Sequence, residues 1–145
     1  MTKSCLRLIG YAAVMVAAAT VALAQTAAPV AIPLDKEQSV GGIDIGCTGI
    51  GESKNDARWK AYPIRVEAAN MAGDLLANVA ISVSKATGAA LATVSCEGPW
   101  IMLRGPAGNY RFDAWMPGET FAHQTGTFSM PVKGQRIVSI RFPAS

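Results

Sequence analysis

A single histidine occurs in this chain of 145 residues, and that scarcity excludes more chemistry than any motif supplies. A serine or cysteine nucleophile needs a base and a group to orient it. His123 lies in no nucleophile motif and reads as an exposed strand residue between Ala122 and Gln124. Soft copper would suit exported Met116, His123 and Met130, but odd steps separate them and alternate faces along a strand. No metal and no cofactor is expected. Charge is sparse as well: 16% of residues are charged and the formal net charge is +3. That balance offers no basic face to nucleic acid or to an anionic membrane. Internal repeats and long amphipathic helical patterns are both missing, which removes helical bundles and solenoids.

What is present begins with an export pattern. Lys3 and Arg7 precede an apolar run from Leu8 to Leu23, and Ala22-Leu23-Ala24 sets small residues before Gln25. Residues 1–24 therefore read as a secretory signal peptide, with an uncleaved anchor as the weaker alternative because the run is marginal for a span of about 20 residues. Cys5 precedes the apolar run, whereas a lipoprotein signal needs its cysteine after it. Loss of Lys3 and Arg7 brings the mature chain close to neutrality. About 120 residues remain, enough for one domain. A periplasmic or secreted location follows, with no stable membrane span after cleavage.

The two cysteines of the mature chain, Cys47 and Cys96, form an even count in an oxidising compartment, so one disulfide is the economical reading. Closing a loop of about 50 residues would stabilise the fold by ~4 kcal/mol on the chain-entropy argument. A two-thiolate metal site is the alternative and lacks neighbouring ligands.

Residues 25–39 read as a flexible tether because Pro29 and Pro33 interrupt a run of small side chains. A domain is expected over 40–145. Ile43 and Ile45 alternate with Asp44 and Gly46 as a short edge strand. Residues 48–61 are a polar loop or a single helical turn around Asn55 to Lys60. Strands with period two follow at Ile64–Ala68, Val79–Val83, Leu91–Cys96, Trp100–Arg104, Gly108–Met116, Phe121–Met130 and Arg136–Phe142. Turn signals every 8–12 residues point to an all-β fold, a small immunoglobulin-like or transthyretin-like antiparallel β-sandwich.

One block of motifs carries a resemblance. Leu76-Ala-Asn-Val79-Ala-Ile81-Ser-Val83, the Thr87-Gly88 turn, Thr93 to Gly98, Leu103-x-Gly105-x-x-Gly108-x-Tyr110-x-Phe112-x-Ala114, and Gly134 to Ile140 together resemble the carboxypeptidase regulatory-like domains, which are transthyretin-like sandwiches. The resemblance spans roughly residues 62–142 and rests on structural motifs. It departs at Ser95 to Trp100, where the usual acidic hairpin is replaced and Cys96 implies a tie back to the Ile43–Cys47 strand. Gly108 permits a tight approach, and Tyr110 can bury its ring while its hydroxyl reaches the backbone. The resemblance implies an accessory module without a reaction of its own. A hydroxyisourate-type hydrolase would need several histidines and a tyrosine-arginine-glycine-serine end, where this chain ends Arg141-Phe142-Pro143-Ala144-Ser145.

A binding surface is then the remaining way to act. With Tyr110 and Phe112 inward, Arg111, Asp113 and Trp115 face outward; with Ile101 and Leu103 inward, Trp100 and Arg104 join them. Such a Trp100–Trp115 platform, rimmed by Trp59, would grip a protein or stack on a sugar. The alternative is that these tryptophans cover a sheet face or pack on the disulfide. The resulting expectation is an exported, non-catalytic module whose partner is another envelope protein, with a glycan as second choice.

Overall fold

In the computed structural model, residues 27–120 and 123–143 are described. The expected signal peptide, the first residues of the tether, and Phe121 and Ala122 lie outside them. Ten strands form among the described residues: β1 Val30–Ile32, β2 Lys36–Val40, β3 Ile43–Thr48, β4 Ile64–Asn70, β5 Val79–Lys85, β6 Ala90–Cys96, β7 Trp100–Arg104, β8 Gly108–Trp115, β9 Gln124–Met130 and β10 Arg136–Phe142. The first sheet has the order β1-β6-β5-β8-β9 and the second β10-β4-β7-β3-β2. They pack face to face, so the all-β sandwich read from the alternation is the fold.

Two pairings are parallel, β1 with β6 and β10 with β4, so both sheets are mixed where an antiparallel sandwich was expected. Parallel neighbours need long crossovers, and period-two alternation carries no information about strand direction. The core between the sheets is built from the inward members of each alternation. Ile45, Val66, Ile101 and Leu103 come from the second sheet, and Ile81, Val83, Val94 and Tyr110 from the first. Cys47 on β3 and Cys96 on β6 are bonded within this core and join the two sheets.

The tether expectation is corrected by the same core. From Val30 onward the chain is folded, and Ile32 is fully buried. Pro33 limits β1 to a short edge strand, which is where proline is tolerated. Gly41 and Gly42 then both adopt positive φ, 58° and 80°, and close a two-residue hairpin between β2 and β3. That geometry matches the twist of the flanking strands. A side chain at Gly41 would also collide with the Leu91 carbonyl. Covered by β2 on one side and β7 on the other, β3 is an interior strand and not the expected edge.

Residues 48–61 contain two short 3-10 turns, Glu52–Asn55 and Ala57–Ala61. Asp56 caps the second by accepting from the Arg58 N–H at 3.0 Å. The segment is anchored from the β1–β2 turn, where the Asp35 carboxylate accepts from Thr48 Oγ1 at 2.7 Å and Ser53 Oγ at 2.6 Å. Those two hydrogen bonds hold the Asp35 carboxyl below its ordinary value. At the β7–β8 crossing, the Tyr110 hydroxyl donates to the Pro106 carbonyl at 2.6 Å, satisfying a phenol whose ring is buried. No helix among the described residues is long and apolar enough to cross a membrane.

Candidate binding surface

Strand β8 organises the outer face of the first sheet. Its inward residues Tyr110, Phe112 and Ala114 commit Arg111, Asp113 and Trp115 to the opposite side. Neighbouring strands present hydroxyls in register. One row runs Ser82, Asp113, Thr125, and the next Ser84, Arg111, Thr127. Between these rows lies a shallow hollow of about 390 Å³. On the inner side, Gly126 opposite Phe112 leaves room for that ring, which a Cβ would meet at 2.7 Å.

His123 completes the face at one end. It precedes β9, across the hairpin from Trp115, and the two rings stack at 5.1 Å with planes 9° apart. Its Nδ1 lies 2.8 Å from Asp113 Oδ1 and 3.0 Å from Oδ2, which directs an Nδ1–H at the carboxylate. Trp115, His123 and Asp113 thus form one assembly, and the aromatic stack braces the carboxylate. Arg111 has no hydrogen-bond or ion-pair partner among the described residues, so its guanidinium faces solvent beside the hydroxyl rows. A planar fork of this kind suits carboxylate or amide acceptors.

The tryptophan platform itself is corrected. Trp100 and Arg104 do point away from the core, as the alternation requires, but on the outer face of the second sheet. Trp115 lies on the outer face of the first. Two sheets and the core separate them, because the chain crosses from one sheet to the other between Arg104 and Gly108. Trp59, Trp100 and Arg104 therefore share one face, and Arg111, Asp113 and Trp115 the other.

On the second-sheet face the aromatic side chains are largely structural. Trp59 is buried with Tyr62 and Met102 in a small satellite core. Its ring occupies the space over Gly46, where a Cβ would come within 2.5 Å, and its Nε1 donates to the Ser53 carbonyl at 2.9 Å. Arg104 donates to Asp44 Oδ2 through Nε and Nη2, each at 3.1 Å, and lies 4.6 Å above the Tyr62 ring. Burial raises the Tyr62 phenol above its ordinary value. Trp100 is half-buried beneath the Arg65 guanidinium, 4.3 Å from its ring centre.

The residues weighed for copper do not meet. Met130 is buried in the core while His123 sits outside the first sheet. No cluster of metal-ligating side chains occurs among the described residues. What the sequence reading missed is the role of His123 as the partner of Asp113 and Trp115. A usable signal was present, since a hairpin turn centred near Glu119 sets residues 115 and 123 opposite one another. Sequence comparison finds no matching protein family and no matching curated protein.

Proposed function

We propose that the chain is an exported, non-catalytic accessory module of the carboxypeptidase regulatory-like type, which binds another envelope protein with the outer face of its first sheet. The observation that carries this reading is the grouping of Arg111, Asp113, Trp115 and His123 on a flat, hydroxyl-rich face that contributes nothing to the core. Export is supported by the N-terminal charge and apolar pattern and by a disulfide of the kind an oxidising compartment maintains. The module type is supported by the strands that fall on the resembling motifs and by the Tyr110 hydroxyl bond at the sheet crossing. Asp113 and His123 have the relation of orienting acid and base. With the imidazole stacked on Trp115 and no serine hydroxyl bonded to it among the described residues, a positioning role fits the pair better than catalysis.

A second reading is a carbohydrate-binding surface, favoured specifically by the Trp115 ring beside the Asp113 carboxylate and the Ser/Thr rows. One experiment separates the two. The mature chain and its Arg111→Ala/Trp115→Ala variant are immobilised and challenged with a periplasmic extract and with purified peptidoglycan. Retention of one stoichiometric protein, lost in the variant at unchanged melting temperature, supports protein binding. Peptidoglycan retention lost in the variant supports the second reading. Equal retention by both chains refutes this face as the working surface.

A further inference from the structure

The outer face of the second sheet contains a separate hollow of about 330 Å³ between the 3-10 segment and strands β4 and β7. Its apolar floor is the half-buried Trp100, with the buried Met102 behind it, and its rim carries Lys54, Lys60 and Arg65. Asp56 is the carboxylate at its edge, already engaged by the Arg58 N–H at 3.0 Å and the Arg58 side chain at 3.4 Å. Glu67 balances Arg65 through a 2.9 Å ion pair. Lys54 and Lys60 have no ion-pair or hydrogen-bond partner among the described residues, so two positive charges over this floor are uncompensated.

Arg65 Nε and Trp100 Nε1 are shut off from solvent and bond to no acceptor. Neither N–H faces the hollow, so the contacts open to a ligand are those of Lys54, Lys60 and the outer guanidinium nitrogens of Arg65. The walls therefore offer cations beside an apolar surface. The complementary ligand brings a negatively charged acceptor and a planar apolar body. The volume lies at the small end of the range for ligand sites, about 300–1,000 Å³, which suits one ring and not a polymer.

We infer that this hollow is a binding site for a small aromatic carboxylate. The carboxylate lies between Lys54 and Lys60, and the ring lies against the Arg65 guanidinium and the exposed edge of Trp100. This site is independent of the proposed protein-binding face, which lies across the sandwich.

The three tryptophans give three indole N–H signals, which makes nitrogen-proton correlation spectra of the mature chain a direct test. Benzoate and indole-3-carboxylate are titrated against the neutral amides benzamide and indole-3-carboxamide. The acids are expected to shift the Trp100 indole signal saturably and leave that of Trp115 unmoved, while the amides produce no saturable shift. In Lys54→Ala/Lys60→Ala, whose altered side chains are exposed, the affinity for the acids falls by about tenfold or more, the loss of one charge-assisted hydrogen bond. Equal binding of acids and amides, a shift that does not saturate, or unchanged affinity in the double lysine variant overturns the assignment. A shift confined to Trp115 also overturns it and places the acid on the other face.

Discussion

Replacing both Cys47 and Cys96 by alanine isolates how much of this fold depends on linking its sheets. The bridge joins positions 49 residues apart. Removing it frees the unfolded chain by an entropy worth ~4 kcal/mol at 25 °C for a loop of that length. The half-cystines are buried in the core, so the lost sulfur contacts add up to about 1 kcal/mol. For a folded part of about 120 residues the unfolding entropy near the midpoint is about 0.25 kcal/mol per degree. The variant is therefore expected to melt about 16–20 °C below the oxidised parent in scanning calorimetry at neutral pH. Thiol titration of the denatured, unreduced parent should return no free sulfhydryl from these positions. A fall of less than about 4 °C would refute the argument, because a loop of this size cannot then be restricting the unfolded ensemble.

Two further outcomes test local geometry. Gly41→Ala combines a φ of +58° with a collision against the Leu91 carbonyl, whereas Gly42→Ala at φ +80° meets open space. Denaturant unfolding should show a loss of about 3 kcal/mol or more for the first and about 1 kcal/mol for the second; similar losses would mean that the approach to Leu91 is not tight. Asp35 is held below its ordinary value of 3.8 by Ser53 and Thr48, so its contribution is fully present above that value and is lost as pH falls through the lower folded value. Urea midpoints of the parent and Asp35→Asn should differ at pH about 6, and the gap should shrink as pH falls below 3.8. A gap that stays constant across that range would show that the carboxylate is not the stabilising species.

The sequence alone determined which side of β4, β5 and β8 faces the core. Alternation at Ile64–Ala68, Val79–Val83 and Tyr110–Ala114 fixes an inward and an outward side for every residue, since successive side chains on a strand leave opposite faces. The even pair of cysteines likewise defined the one covalent link. Local pattern failed at Val30–Val40: two prolines hid β1, whose partner β6 is distant in the chain, although Gly41-Gly42 between Val40 and Ile43 was a hairpin signal for β2 in plain view. Parallel pairing of β10 with β4 was beyond reach for the same reason. Only the tertiary structure decided which outward sides coincide. Trp100 and Trp115 both point outward, yet the crossing between β7 and β8 sends them to opposite surfaces. His123 meets Asp113 and Trp115 because hairpin register brings them together. Orientation relative to the local strand is a property of neighbouring residues; orientation relative to the whole molecule is set by which sheet each strand joins, and that depends on contacts far apart in the chain.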